Sequence, residues 1–258
     1  MSKVLMTRAV ILSALFMMFL TFLMHTPCRN SNYTDSQFTS FCYSDIPVQF
    51  ADKNLPTDIA PIPHALMLAI SKIPGDFLLH TVLFQLLIAG AFVLLILMVS
   101  NFPAHKPMAA VTFALMPLWA FTLFISNDIF AITFATAAIY YFYKRKLNHA
   151  AVFSGFALAS GSWTWVVALA IVIQLYKYAT TKHIIKFAVI SLGFTMILNL
   201  PRILAHLPLL SFSDQYGDGT PLYIWSLMSD QGSPGGLISI WLGIGLTVFV
   251  IRWAIVSV

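Results

Sequence analysis

Seven apolar stretches separated by short polar or basic segments organise this chain: residues 4–25, 76–99, 108–125, 129–143, 147–176, 187–205 and 237–257. None alternates with the period of two that marks a half-buried strand, so helices are expected throughout. Most of the runs approach or exceed the roughly 20 residues that cross a hydrocarbon core of about 30 Å. The first run carries Lys3 and Arg8 at its start, as a signal peptide would. It outlasts the usual h-region of about 7 to 15 residues, however, and reads as a retained span. Segment 56–73 opens with Pro56, Pro61 and Pro63 and then holds about ten apolar-rich residues. It predicts a helix lying at the interface or leaning on the bundle.

The run 147–176 departs from the others. It is too long for one straight crossing, and Ser160-Gly161-Ser162 interrupts its middle with residues that weaken a helix. Basic clusters flank it on both sides: Lys144-Arg145-Lys146 before, and Lys177, Lys182 and Lys186 after. A single crossing would place the two clusters on opposite sides of a membrane. A hairpin of two half-length helices, with its tip at residues 160–165, keeps them together, whereas one long tilted span is the alternative.

Composition narrows the class. With 59% hydrophobic and 9% charged residues and a mean hydropathy of +0.86, the chain falls far from soluble domains, in which about a quarter of residues are charged. An all-α, multi-pass integral membrane protein is expected, with residues 1–258 forming a single transmembrane domain. The formal charge of +5 does not indicate nucleic acid, because the basic residues cap apolar runs instead of forming a patch with exposed aromatics. With the N-terminus in the cytoplasm of a cell membrane, Lys3, Arg8, Lys106, Lys144, Arg145, Lys146, Lys177, Lys182, Lys186 and Arg252 face inward, and only Arg29, Lys53, Lys72 and Arg202 face outward. Every acid is an aspartate, namely Asp35, Asp45, Asp52, Asp58, Asp76, Asp128, Asp214, Asp218 and Asp230. All fall in or beside the segments assigned outward, chiefly loops 26–75 and 206–236. Acidic residues contribute little to orientation, so their one-sidedness supports a polar outward face independently.

Candidate chemistry therefore gathers on that face. Cys28 and Cys42, the two cysteines of the chain, lie in the first outward loop; a disulfide would close about 15 residues and contribute roughly 3 kcal/mol, and two free thiols are the alternative. Such a bridge would hold Tyr43, Ser44 and Asp45 near the outer end of the first span. Asp45 sits among mostly uncharged neighbours before Pro47, where partial desolvation would raise its pKa and suit it to act as a base on a hydroxyl. A capping carboxylate is the plainer reading. Arg202, with His206 one turn later, could hold a phosphate, or Arg202 could simply snorkel to headgroups. His64, Asp128 in Ser126-Asn127-Asp128, and Asp230 in the loop 229–236 are further candidates for substrate contact; a turn or cap is the plainer role for Asp128. No spacing of His, Cys and Asp matches a metal site.

In order, Cys42-Tyr43-Ser44-Asp45-Ile46-Pro47, Ser126-Asn127-Asp128, the split segment from Gly155 to Trp165, Asn199-Leu200-Pro201 and Asp230-Gln231-Gly232-Ser233 resemble the GT-C class of membrane glycosyltransferases. The resemblance is in particular to actinobacterial polyprenyl-phosphate-mannose-dependent mannosyltransferase-like proteins. The resemblance implies a helical bundle of about 7 to 9 membrane helices, including a half-length hairpin. It also implies an extracytoplasmic site and inverting transfer of a sugar, mannose by analogy, from a polyprenyl-phosphate donor to a lipid or glycan acceptor of the cell envelope. Asp45 would then be the catalytic base; Tyr43, Ser44, His64, Asp128, Arg202, His206 and Asp230 would contact substrate. Phosphate is a good leaving group, so no metal or cofactor is required. Ala60-Pro61-Ile62-Pro63 lacks the acid, and Ser162-Trp163-Thr164-Trp165 the lysine, that such enzymes carry at the corresponding places. The chain also stops where they continue through further spans. A truncated or degenerate relative, acting as a non-catalytic membrane scaffold, is the alternative expectation. A small-solute transporter fits less well, since charges sit at the ends of the runs and not at mid-depth.

Overall fold

A computed structural model describes residues 3–30, 44–51, 59–102, 107–117, 119, 123–124 and 127–204, and its elements are all helical. In chain order these are α1 (Lys3–Met24), α2 (Thr26–Asn30), α3 (Asp45–Ala51), α4 (Pro61–Ser71) and α5 (Phe77–Ser100). They are followed by α6 (Pro107–Ala114), α7 (Asp128–Tyr143), α8 (Leu147–Leu158), a 3-10 turn (Ser162–Thr164), α9 (Trp165–Tyr178) and α10 (Thr181–Leu204). Among the described residues, α1, α5 and α10 are long and apolar enough to cross a membrane, whereas α4, α7, α8 and α9 are shorter apolar helices. These lengths and this apolarity suggest a membrane protein. The run 237–257 and the loop 206–236 lie outside the described residues.

Side-chain register fixes the direction of each helix. Phe84 meets Phe130, Thr133 Oγ1 donates to the Ala91 carbonyl at 3.2 Å, and Phe102 meets Tyr140, so α5 and α7 run parallel. On the other side of α7, the tight turn at residues 144–146 sends α8 back antiparallel, with Phe134 stacked on Phe153 and Phe156. α8 and α10 are again parallel: Ser191 Oγ donates to Ser154 Oγ at 3.2 Å and Thr195 Oγ1 to the Gly155 carbonyl at 3.4 Å. Small residues at this contact let the backbones approach, as is usual for helix pairs in lipid.

The stretch expected as one helix over 108–125 is broken. Pro117 has no N–H to give to the Phe113 carbonyl four residues back. That carbonyl is served instead by the Met116 N–H at 3.3 Å and by the Trp119 indole N–H at 2.9 Å. α6 accordingly ends at Ala114, and the chain re-forms local turns beyond it.

Between α8 and α9 the chain turns back on itself. Ile171 and Leu175 of α9 share one buried apolar cluster with Ala150 and Ala151 of α8, Ala138 of α7 and Phe187 of α10. A straight helix would separate Ala150 from Leu175 by about 38 Å at 1.5 Å per residue. The break falls at residues 159–164, on the small residues that the sequence pointed to. α4 leans on the same break, its Ile62 N–H donating to the Ala159 carbonyl at 3.1 Å.

The bundle thus has two unlike ends. One gathers Arg8, Lys144, Arg145, Lys146, Lys177, Lys182 and Lys186, all exposed. The other gathers the start of α3, His64, Asp76, His80, Asp128, Asn199 and Arg202, and so holds each described aspartate.

Candidate functional site

At the aspartate-bearing end, α3 is pinned before its first residue. Ser44 is fully buried; its Oγ donates to the Phe124 carbonyl at 2.6 Å and accepts the Ile46 N–H at 3.3 Å. That is an N-cap. Capping at this turn therefore falls to Ser44, and Asp45 is the first helical residue, followed by a fully buried Ile46. Pro47 is tolerated there because it lies in the first turn. The Asp45 side chain lies outside the described residues, as do Tyr43, Cys42, His206 and Asp230. Farther along α3, Phe50 packs on His80 and Phe84.

Arg202 is buried to 6% exposure near the C-terminal end of α10, one residue after Pro201. Half-buried His64 on α4 feels its charge: burial first, and the Arg202 guanidinium second, hold the imidazole below its ordinary pKa. His64 is therefore a neutral imidazole beside a cation. Asn199, one turn before on α10, is buried as well; its Nδ2 donates to the Thr195 carbonyl at 2.8 Å, whereas its Oδ1 has no hydrogen-bond partner among the described residues. This buried cation, neutral imidazole and amide oxygen offer charge and hydrogen bonding for an oxyanion and its ester or hydroxyl neighbour.

Asp128 sits at the rim. It is exposed, opens α7 after Asn127 at the N-cap position, and accepts a long hydrogen bond of 3.4 Å from the Trp163 indole of the α8–α9 break. Gly161 is needed between them, because a Cβ there would lie 2.9 Å from the Ala131 Cβ and 3.1 Å from Trp163 Nε1. His64, Arg202, Ala159 and Asp128 thus surround one break, and the start of α3 belongs to the same end through the Phe50–Phe84–Phe130 aromatic chain.

Two further features belong to this end, and of them only the buried His25 had no signal in the sequence beyond position. Cys28 on α2 is fully buried and disulfide-bonded. His25, between α1 and α2, is buried edge-on to Phe124, and among the described residues its Nδ1 has no hydrogen-bond partner. Burial first and Arg29 second push its pKa from 6.5 down to about 4. Arg29 itself folds back 3.7 Å over the Phe22 ring. The unfolded chain takes up a proton below about pH 6.5, which the folded chain resists until about pH 4, so the stability held above pH 6.5 is lost as pH falls through that window. Lowering the pH from 7 to 5 should cost about 2 kcal/mol, read as a falling thermal midpoint in detergent. His25→Phe should flatten that dependence, and an unchanged slope would assign the effect elsewhere.

Compared with protein-family models, curated proteins and solved structures, the chain matches none.

Proposed function

We propose that this chain is a multi-pass membrane glycosyltransferase of GT-C type, with an N-cytoplasmic bundle of about 7 to 9 membrane helices and an outward-facing site at its aspartate-bearing end. Its reaction moves a sugar, mannose by resemblance, from a polyprenyl-phosphate donor to a hydroxyl of a lipid or glycan acceptor in the cell envelope. The observation that carries this reading is the buried Arg202 with neutral His64 beside it, at the end of the bundle where α3 begins with Asp45.

In this reading Asp45 removes the proton of the acceptor hydroxyl as its oxygen bonds to the anomeric carbon. The bond from that carbon to the phosphate oxygen breaks, and polyprenyl phosphate leaves with the electron pair. Arg202 and His64 receive the charge that grows on the departing phosphate, which a preorganised cation in a partly dry site stabilises strongly. The apolar helix flanks accommodate the isoprenoid. Inversion follows from a single in-line displacement.

Membranes containing the full chain and a radiolabelled polyprenyl-phosphate sugar provide the test. Label should pass to an envelope acceptor, and Arg202→Gln should reduce transfer while the chain remains in the membrane at normal level. Membranes with abundant chain and no transfer to any envelope extract would leave the scaffold reading in its place.

A further inference from the structure

The basic end of the bundle has no part in the reaction above, yet its geometry is specific. The α7–α8 connection is a Schellman turn: the Arg145 N–H donates to the Phe142 carbonyl at 2.9 Å and the Lys146 N–H to the Tyr141 carbonyl at 2.9 Å. The residue that must turn left-handed in this motif is normally glycine, which has no Cβ to clash. Here it is Arg145, at φ 56°. An arginine kept at a strained backbone position is an observed outlier that points to a use for its side chain.

Next to this turn lies a second one, between α9 and α10, because Leu175 and Phe187 on its flanks pack with Ala138 and Ala150 on the flanks of the first. It brings Lys177, Lys182 and Lys186 beside Lys144, Arg145 and Lys146, and all are exposed. Each described aspartate lies at the opposite end, so among the described residues these cations face no carboxylate. Tyr143, 62% exposed, and Tyr176, 78% exposed, flank the paired turns. Exposed tyrosines beside lysines at the ends of apolar helices form the pattern of side chains that settle at the headgroup level.

We infer that the paired turns at residues 144–146 and 177–186 form a binding surface for anionic phospholipid headgroups in the leaflet they face, with Arg145 as its central phosphate ligand. The guanidinium presents a fork that matches phosphate oxygens, and lysines on both sides add charge without demanding one geometry. An acidic soluble protein would meet the same charge, but it would not account for tyrosines exposed at this level. The inference is independent of glycosyl transfer.

The test uses the purified full chain in phosphatidylcholine nanodiscs, with and without phosphatidylglycerol. Phosphatidylglycerol should raise the thermal midpoint by several degrees at low salt, with the gain suppressed at high salt. Arg145→Gly should keep or raise the midpoint in pure phosphatidylcholine, because the turn is relieved of strain, while losing at least half of the phosphatidylglycerol gain. Combined Lys144→Gln, Lys146→Gln and Lys182→Gln should lose it too, with the pure phosphatidylcholine midpoint unchanged. A wild-type midpoint indifferent to phosphatidylglycerol, or an equal gain in wild type and Arg145→Gly, overturns the inference. So would a gain that a purified acidic polypeptide reproduces in pure phosphatidylcholine.

Discussion

Asp45→Asn should lower sugar transfer by about 10²- to 10⁴-fold, the range that a positioned general base contributes. The substitution isolates proton transfer from folding for reasons visible in the local structure. α3 is capped by Ser44, whose hydroxyl is held between the Phe124 carbonyl and the Ile46 N–H, and is anchored by buried Ile46 and Phe50. Asparagine keeps its size and is accepted at helix starts, so membrane levels and thermal midpoint should stay close to wild type. Labelled donor supplied to membranes at saturating acceptor gives the rate. Transfer at the wild-type rate would remove Asp45 as base. A fall in transfer with an equal fall in folded protein would make it a structural residue.

What the sequence made legible, and what it did not, separates along physical lines. The ends of α1, α5 and α7 lie within about a residue of the ends of apolar runs, because hydrophobic length is written residue by residue, whereas α10 begins at Thr181, ahead of the run that starts at 187. The fold-back between α8 and α9 was legible from two facts together: basic residues flanking one apolar run on both sides, and Ser160-Gly161-Ser162 in its middle. The break after Ala114 was carried by Pro117 alone, inside a run that otherwise read as continuous. A single proline gives a probable boundary only, and here it became one because Trp119 could return an indole N–H to the freed carbonyl.

Burial of isolated polar groups was the least legible feature. Arg202 and His64 could be named as candidates from position, but their nearness depends on α4 docking against α10, which no local pattern specifies. Gln85 is one of few polar residues in the apolar run of α5, with His80 and Thr81 before it. In the fold it lines a lateral groove of about 290 Å³ between α1 and α5, with Leu15, Phe19, Val82 and Leu86, and neither amide atom has a hydrogen-bond partner among the described residues. Which neighbour covers a side chain is a tertiary property, and periodicity within one helix cannot supply it.

Close packing of α8 on α10 yields the second large effect, on stability. A Cβ at Gly155 would lie 2.7 Å from the Phe194 Cβ and 2.8 Å from the Ser191 carbonyl oxygen. The second of these is backbone, which cannot rotate aside, so the helices must part. Parting them lengthens the Ser191–Ser154 hydrogen bond and opens the contact along both helices. Gly155→Val should therefore destabilise by about 2–3 kcal/mol, the overpacking cost outweighing the better helix propensity of valine. Gly90 and Gly193 are the internal controls, since nothing lies within 4 Å of a Cβ at either. Gly90→Ala and Gly193→Ala should each be neutral or stabilise by up to about 1 kcal/mol. Equilibrium unfolding in mixed micelles reads all three variants on one scale. If Gly155→Val were as stable as Gly193→Ala, α8 and α10 would not approach as closely as the Ser154–Gly155 face implies, and α4 would lose the frame that brings His64 to Arg202.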